Sequence, residues 1–305
     1  MCQYANLLMC QYKTFQNPKS KIMKYQIVLL FVAFFAVVSH SFAAEPVISS
    51  MDKAIIKNKL DKFSKDRTLP MGDLVLKIGL DFLNTPYVGK TLDKAKEESL
   101  VINLHQLDCT TFAENCLALA RTIKSEKSNA ATFCSELEGI RYRGGIMDGY
   151  ASRLHYFCEW ITDNEARNHV KSMAAQMDGK VLPISLNFMS THPQEYPQLI
   201  NNPAVTAQIK AIEEKVSAQK FFYIPSAQFE SIEGQVSDGD IVTLTTSIPG
   251  IDVSHVGILL KKDGRVYLLH ASSTMQKVVV STEPFSQFLA KSKKTTGVMI
   301  ARPVE

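Results

Sequence analysis

A cysteine stands where an amphipathic helix is predicted to begin. Asp108 is a good N-cap in front of Cys109, because its carboxylate can accept hydrogen bonds from the free N–H groups of the first turn. Downstream, apolar side chains recur at helical spacing as far as Ile123. A thiol in this position faces the positive end of the helix dipole and unpaired N–H donors, which favour a thiolate and supply an oxyanion site. Cys109 is therefore a candidate nucleophile, and the alternative is a buried structural cysteine.

Two histidines are predicted to meet on one face of a β-hairpin. Asp263-Gly264, between two apolar strands, is typical of a two-residue hairpin turn, and it sets Lys262 opposite Arg265. In this register His255 and His270 are diagonal neighbours on one face, within reach of a hydrogen bond between their imidazoles.

This pair is what a cysteine nucleophile needs. One imidazole takes the thiol proton and later returns it to the leaving group, and a second polar group fixes the tautomer and orientation of the first. Gly257 is predicted to lie opposite His270 and to leave its ring unobstructed. A single histidine in a strand is more often structural, but two on one face together with Cys109 favour nucleophilic catalysis.

The first 44 residues have the pattern of a secretory signal. Lysines precede an apolar run from Ile27 to Val38, and Ser41-Phe42-Ala43 fits a cleavage site, with cleavage expected near Ala43 and Ala44. The run is short for a membrane span of about 20 residues. Met23 is a natural start, which would make residues 1–22 an upstream extension. We expect an exported protein, periplasmic or secreted, without a stable membrane anchor.

Charge separates the leader from the rest of the chain. The 305 residues include 34 Lys and Arg and 30 Asp and Glu. Four of the lysines lie in residues 1–44, which contain no acidic residue, so residues 45–305 carry equal numbers of both signs. This balance gives no indication of nucleic acid or an anionic membrane as a partner. Residues 45–305 are enough for a single elaborated domain.

The cysteines beyond the leader give no disulfide or metal framework. Cys109 and Cys116 lie roughly 10 Å apart along one predicted helix, which is too far for a disulfide. An exported protein allows a Cys134–Cys158 bond, although the spacing does not require one. The histidine and cysteine spacings are not those of a zinc site, and we expect no metal and no other cofactor.

Helical patterns precede strand patterns along the chain. Helices are predicted over residues 51–66 and 72–84, and the Cys109 helix extends to about Lys124. From residue 240 to 302, five strand-like segments with short connections favour antiparallel pairing. This order indicates an α+β fold. Between these parts lies a long insertion at about 130–235, with helices predicted around Ser152 to Thr162 and from Ala204 to Ala218.

The motifs resemble those of the NlpC/P60 superfamily of papain-like cysteine peptidases and amidases. The shared pattern is an Asp-Cys pair opening a helix, Gly239-Asp240-Ile241-Val242, Ser254-His255-Val256-Gly257, and a polar residue one strand later, His270. Thr85-Pro86-Tyr87 resembles the segment whose tyrosine lies beside the cysteine. Residues 152–157 and 187–193 resemble the DUF1460 branch, which is similar to N-acetylmuramoyl-L-alanine amidases acting on peptidoglycan.

This resemblance implies a circularly permuted papain-like fold. A helical layer bearing the nucleophile would pack on a five- or six-stranded antiparallel sheet bearing the histidines. It implies that Cys109 is the nucleophile, that His255 is the general base and acid, and that His270 orients His255. Tyr87 would lie beside the thiol and help to stabilise the oxyanion. Asn84 stands where the family commonly has glycine.

Three residues of the middle region are candidates for substrate binding. Arg153, His155 and Tyr156 would line a cleft, because an arginine binds the carboxylates of a peptide stem bidentately. The alternative is that His155 and Tyr156 are ordinary residues of a helix face. Among the other histidines, we expect a structural role for His105 and a solvated position for His169.

Three functions follow from these observations. The first is an exported cysteine amidase that hydrolyses the N-acetylmuramoyl–L-alanine bond of peptidoglycan or its muropeptide fragments. The second is an endopeptidase that cuts the D-γ-glutamyl–diamino acid bond of the stem peptide. The third is a non-catalytic module that binds the cell wall, which the presence of Cys109, His255 and His270 disfavours.

Overall fold

Among the residues that the structure describes, helices predominate up to Arg141 and strands dominate the last third, as the α+β expectation requires. The computed structural model describes residues 46–94 and 97–305, so the expected signal segment lies outside the described residues. In chain order the helices are α1 Ser50–Lys62, α2 Met71–Leu80, α3 Cys109–Lys124, α4 Ala130–Arg141, α5 Phe157–Ala166, α6 Phe188–Thr191, α7 Pro203–Ser217, α8 Phe229–Ile232 and α9 Phe285–Lys291. Within the described ranges, no helix combines the length and the apolar character that crossing a membrane requires.

The strands build one large antiparallel sheet. They are β1 Val47–Ile48, β2 Val101–Ile102, β3 Val170–Ser172, β4 Lys180–Val181, β5 Phe222–Pro225, β6 Ile241–Thr246, β7 Val253–Lys262, β8 Arg265–Ser272, β9 Lys277–Val280 and β10 Thr295–Pro303. The sheet follows the order β4-β5-β10-β6-β7-β8-β9, and β3 pairs with β10 beside β5. The two-residue strands β1 and β2 form a separate parallel pair.

The sheet is larger than the five or six strands implied by the family resemblance. Among the described residues it has eight strands, because the middle region adds β3, β4 and β5. These strands are two to four residues long, and so short a segment shows no alternation of apolar and polar residues. They pair with β10 or with one another, and they join the middle region to the sheet edge beyond β10.

Both faces of the sheet are covered by apolar packing. Successive side chains of a strand point to opposite faces, so neighbouring residues enter different cores. Ile258 and Leu269 pack with Phe112 of α3 in the core between the sheet and the helical layer. Leu259 belongs to the second core, which includes Phe285 of α9. The helix that begins at Cys109 is thus held against β7 and β8 by a buried apolar face.

A buried ion pair ties this helix to its neighbour. Glu114 of α3 accepts a hydrogen bond from Nε of Arg141 in α4 at 2.7 Å, and each side chain is 2% exposed. A second guanidinium nitrogen of Arg141 donates to the Val101 carbonyl at 2.7 Å. The pair therefore connects α3, α4 and β2 one helical turn beyond the candidate nucleophile.

The middle region departs from one predicted helix. The segment from Arg153 to Tyr156 is not helical, and α5 begins only at Phe157. The Leu154 N–H donates to the Arg141 carbonyl at 2.9 Å, and Tyr142 forms an isolated β-bridge with Arg153. These long-range hydrogen bonds replace those that a helix would have made over the same residues. The helix predicted from Ala204 to Ala218 is confirmed as α7, shifted by one residue.

Removing one member of the Glu114–Arg141 pair should destabilise the fold strongly. Arg141→Met leaves a buried carboxylate without its cation, and we expect a loss of about 3–5 kcal/mol in the free energy of unfolding measured in urea. The double variant Glu114→Gln/Arg141→Met should recover part of this loss.

The matched control is Lys57→Met, which breaks the exposed Lys57–Asp61 pair. This change should cost less than about 1 kcal/mol. A comparable small loss for Arg141→Met would show that the buried pair is not what fixes α3.

Candidate active site

The first turn of α3 is built around Asp108. Its carboxylate accepts the Thr111 N–H at 2.8 Å, and the Thr111 hydroxyl accepts the Asp108 N–H at 3.0 Å, so the two residues form a capping box. The Asp108 carbonyl accepts the Phe112 N–H. The N–H groups of Cys109 and Thr110 take no part in this capping box, and the Thr110 N–H lies against the Cys109 thiol. The predicted N-cap and the predicted helix from Cys109 to Lys124 are confirmed.

The loop that carries Tyr87 is pinned against the residue two before the nucleophile. The Leu107 N–H donates to the Pro86 carbonyl at 3.0 Å, and the Val88 N–H donates to the Leu107 carbonyl at 3.1 Å. The Tyr87 N–H donates to the Gln276 carbonyl at 2.9 Å. Tyr87 lies close enough to Cys109 and Asp108 for them to add to the effect of burial, and together these raise the pKa of its hydroxyl.

Asn84 begins this loop with a left-handed backbone. Its φ is +67°, a conformation that glycine adopts freely and that asparagine tolerates better than most residues. Asn84 also accepts a hydrogen bond from the Lys277 ammonium at 2.8 Å. The residue thus meets the same backbone requirement as the glycine common in the family, and it adds a side-chain contact to β9.

The two histidines meet as the hairpin register predicts. Lys262 pairs with Arg265, and the register continues to Ile258 opposite Leu269. His255 Nε2 lies 2.6 Å from His270 Nδ1, with the two rings nearly perpendicular. A Cβ on Gly257 would lie 3.2 Å from the Cβ of His270 and closer still to the strand around it, so a side chain at 257 would disturb His270.

This hydrogen bond decides which ring nitrogen is free. If His255 Nε2–H donates to His270 Nδ1, the second nitrogen of His255, Nδ1, keeps its lone pair and can act as a base. The same bond holds the ring of His255 in one orientation. His270 is 6% exposed, and its other side lies edge-on to Phe288 of α9 at 5.7 Å between ring centroids.

Burial favours the neutral forms of the thiol and of the two imidazoles. Burial, with a smaller contribution from Asp108, raises the pKa of the Cys109 thiol to about 11, although N–H groups of Val256 and Thr110 act in the opposite direction. Burial and the neighbouring His270 lower the pKa of His255 to about 3, and burial lowers that of His270 to about 4. Burial therefore acts on the thiol in the direction opposite to the thiolate stabilisation that the helix N-terminus predicts.

Cys109 and His255 open onto one cleft, of about 230 Å³. The three substrate-binding candidates of the middle region, Arg153, His155 and Tyr156, line the same cleft. The structure therefore brings together Cys109, the segment 153–156 and His255, which are separated by about 45 to 145 positions in the chain.

The polar groups of these three residues are mostly committed to the protein itself. Arg153 is 7% exposed and forms ion pairs with Glu98 and Asp93, each at 2.7 Å. The Tyr156 hydroxyl donates to Glu213 of α7 at 2.6 Å. Arg153 is thus not an uncompensated cation of the kind that the sequence suggested for binding a substrate carboxylate.

His155 differs from these two because one of its nitrogens has a fixed role. Its Nε2 lies 2.9 Å from the Tyr150 carbonyl, which can only accept, so Nε2 carries the proton and Nδ1 is an acceptor. Burial and the nearby Arg153 lower the pKa of this imidazole to about 3. A neutral ring at the cleft wall favours contact with a hydroxyl or amide N–H rather than with a carboxylate.

Two buried carboxylates of the cleft region were not found from the sequence. Asp252 lines the cleft and accepts the Cys158 N–H at 2.7 Å, which caps α5 from a distant segment. Glu213 accepts the N–H of Met189 at 3.0 Å as well as the Tyr156 hydroxyl. Nothing in the local pattern around Asp252 or Glu213 indicates these contacts, because the partners lie 24 to 94 residues away.

The other histidines and cysteines of the described residues do not line the Cys109 cleft, except His155. His105 pairs with the buried Asp52 at 2.8 Å, in agreement with its expected structural role. His169 is not solvated as expected: it is buried against Asn164, with its Nδ1 3.0 Å from the amide oxygen. Cys134 and Cys158 are both free thiols. Across residues 46–94 and 97–305, no group of three or more His, Cys, Asp or Glu has an arrangement that could hold a metal ion.

The buried imidazole of His270 should make the fold sensitive to acid. Its pKa is about 4 in the folded chain against an ordinary value of 6.5, so between these values the unfolded chain binds a proton that the folded chain does not. The contribution of this neutral imidazole to the free energy of unfolding is then fully present above pH 6.5, and it is lost as the pH is lowered toward 4. We expect His270→Asn to flatten this decline by about 1 kcal/mol per pH unit in urea unfolding.

His192→Asn is the control, because His192 is exposed and lies outside the site. This change should leave the decline in stability between pH 6.5 and 4 as steep as in the wild-type protein. An equally steep decline in His270→Asn would mean that the imidazole is not held neutral.

Comparisons with known proteins place these residues in a family. The family model described as AmiA-like, N-acetylmuramoyl-L-alanine amidase-like, matches residues 77–298, which include Cys109, His255 and His270. No curated protein matches the chain.

Solved structures agree with this match. A structure of an N-acetylmuramoyl-L-alanine amidase from Bacteroides uniformis is 39% identical, covers 77% of this chain and 99% of its own, and has a TM-score of 0.74. A structure described as a putative xylanase from Bacteroides fragilis is 38% identical over 74% of this chain and 99% of its own, with a TM-score of 0.69. The Legionella pneumophila protein LPG0564, of family DUF1460, is 17% identical over 83% of this chain and 96% of its own, and its TM-score of 0.62 shows a shared fold. This chain belongs to the N-acetylmuramoyl-L-alanine amidase-like family.

Proposed function

We propose that this protein is an exported cysteine amidase that hydrolyses the amide bond between the N-acetylmuramoyl group and L-alanine in peptidoglycan or its fragments. The observation that carries the proposal is the 2.6 Å contact between His255 Nε2 and His270 Nδ1, in a cleft that also contains Cys109 at a helix N-terminus. The amidase-like family supports the choice of bond. The NlpC/P60 resemblance supports a circularly permuted papain-like core, of which residues 130–235 are an insertion.

The first half of the reaction forms a thioester. Cys109 Sγ attacks the carbonyl carbon of the muramoyl amide, and its proton passes to Nδ1 of His255. Because burial favours the neutral thiol and the neutral imidazole, we place this proton transfer together with the attack. When the tetrahedral intermediate collapses, the carbon–nitrogen bond breaks and His255 gives the proton to the nitrogen of L-alanine.

The second half returns the enzyme to its starting state. Water attacks the thioester carbonyl carbon and loses a proton to His255, and the carbon–sulfur bond then breaks. The sulfur takes the proton back from His255, and the muramic acid carboxyl group is released. In both halves the N–H groups of the first turn of α3 and the Tyr87 hydroxyl stabilise the negative oxygen.

We assign different tasks to the residues around this centre. His270 is a positioning residue, because it acts through His255 by fixing its tautomer and ring orientation. Arg153, His155 and Tyr156 form the wall of the substrate cleft. In that wall His155 offers an acceptor to the substrate, whereas the ion pairs of Arg153 and the Tyr156–Glu213 hydrogen bond keep the wall in place.

The bond specificity is tested by mass spectrometry of the products from a defined muropeptide that carries a complete stem. The proposed amidase releases an intact stem peptide with a free L-alanine amine. Release of a muramoyl dipeptide would instead identify an endopeptidase that cuts after D-glutamate. Binding without any product would identify a wall-binding module.

Loss of the Cys109 thiol should abolish turnover and leave the fold intact. We expect Cys109→Ala to lower kcat by at least about 10³-fold, because nucleophile and base act as a unit. Cys116→Ala is the matched control, since this buried thiol lies on the helix face that packs against the core. Substantial activity in Cys109→Ala would show that the nucleophile is assigned wrongly.

His255 and His270 should contribute unequally. His255→Ala removes the group that moves the proton, and it should cost nearly as much as losing the thiol. His270→Asn keeps an acceptor for the Nε2–H of His255, so the loss in kcat should be about tenfold. Equal and nearly complete losses in the two variants would contradict this division of tasks.

A further inference from the structure

A second cavity begins at the candidate base on the side away from the nucleophile. It measures about 660 Å³, and we call it the His270 groove because His270, Ser272, Lys277 and Phe288 line it. The groove shares Ser254 and His255 with the Cys109 cleft. Cys109 itself lines the cleft but not the groove. His255 therefore stands between two cavities, of which only one reaches the sulfur.

The chemistry of acyl transfer assigns the two halves of a substrate to these cavities. The acyl carbon must bond to Cys109 Sγ, so the group attached to it occupies the cleft that contains the sulfur. The leaving nitrogen must receive its proton from His255, so the group attached to that nitrogen extends from His255 away from Cys109. The His270 groove is the cavity that meets this second condition.

The groove contains a cation without an acidic partner. Within the described part of the chain, no carboxylate lies within ion-pairing distance of Lys277, whose ammonium donates to the neutral Asn84 amide at 2.8 Å. The acidic residue of the groove, Glu283, already accepts hydrogen bonds from Lys291 and Thr282, each at 2.7 Å. A carboxylate bound in the groove would thus meet Lys277 as an available positive charge.

The position of Lys277 is fixed by the sheet. It is opposite Ser272 at the start of β9, and Pro86 forms a β-bridge with it on the other side. Ser254 and Ser272 also line the groove, where the Ser254 hydroxyl donates to the Leu244 carbonyl and the Ser272 hydroxyl accepts the Met275 N–H. The groove therefore combines apolar side chains such as Phe288 with the ammonium of Lys277, and it is anchored to the loop that carries Tyr87.

We propose that the His270 groove binds the leaving stem peptide and that Lys277 pairs with the free α-carboxylate of its second residue, D-glutamate. This inference rests on the proposed function, because it takes the muramoyl group as the acyl half. In a stem joined through the γ-carboxyl group of D-glutamate, the α-carboxylate is the first negative charge beyond the scissile bond. Lys277 is then a residue that selects the leaving group.

The test compares two substrates that differ by one charge. These are N-acetylmuramoyl-L-alanyl-D-glutamate and the same compound with the D-glutamate α-carboxylate replaced by a carboxamide. We expect the wild-type protein to cleave the carboxylate form with an about two- to fivefold higher kcat/KM, which is the size of a solvent-accessible ion pair. Salt should reduce this preference.

Three variants test whether Lys277 causes the preference for the carboxylate substrate. Lys277→Gln should abolish it, and Lys277→Arg should restore most of it, because the positive charge returns at the same place. Lys262→Gln, at the exposed turn of the β7–β8 hairpin, should keep the full preference. A preference that survives in Lys277→Gln, or a wild-type protein that does not distinguish the two substrates, would overturn the inference.

Failure of the proposed function gives a different result. In that case the wild-type protein leaves the muramoyl–alanine bond of both substrates intact. The groove assignment is then tested by NMR, which follows binding of the free dipeptide L-alanyl-D-glutamate to the full chain. Binding that is weakened in Lys277→Gln but not in Lys262→Gln supports the groove assignment, and equal or undetectable binding in all three proteins refutes it.

Discussion

The register of the β7–β8 hairpin determines whether two imidazoles can meet. Each residue of a strand points to the opposite face from its neighbour, so a slip of one position on β8 would turn His270 away from His255. The two-residue turn at Asp263-Gly264 excludes that slip by setting Lys262 opposite Arg265. Gly257 then leaves room beside His270, where even a Cβ would be crowded. The orientation of the candidate base follows from this register.

The nucleophile reaches the hairpin through a second set of constraints. The capping box of Asp108 and Thr111 fixes the first turn of α3, and the ion pair of Glu114 with Arg141 holds the next turn. The Tyr87 loop joins the residue before Asp108 to β9, the strand next to β8. Helix, loop and hairpin thus form one connected frame. The Glu114–Arg141 ion pair of this frame is buried, and salt screens a buried ion pair only weakly. The geometry of the frame should therefore depend little on ionic strength.

Much of this frame could be predicted because its signals are local. An N-cap aspartate before an amphipathic segment defines the start of α3, and an Asp-Gly turn between apolar strands defines the hairpin. The contacts of the middle region are different, because their partners are distant in sequence. Arg153 binds Glu98 and Asp93, which are 55 and 60 residues away, and no local pattern distinguishes a paired arginine from a free one. The burial of Cys109 likewise results from the packing of several segments, and it reverses the direction of the pKa shift expected from the helix terminus alone.

The proposed reaction depends on one covalent intermediate, a thioester between the muramoyl group and Cys109. Intact-protein mass spectrometry of an acid-quenched reaction with a defined muropeptide tests this claim directly, and peptide mapping locates the adduct. We expect an adduct with the mass of the muramoyl acyl group on the peptide that contains Cys109. An adduct with the mass of a peptide fragment, or turnover that continues in Cys109→Ala, would contradict it.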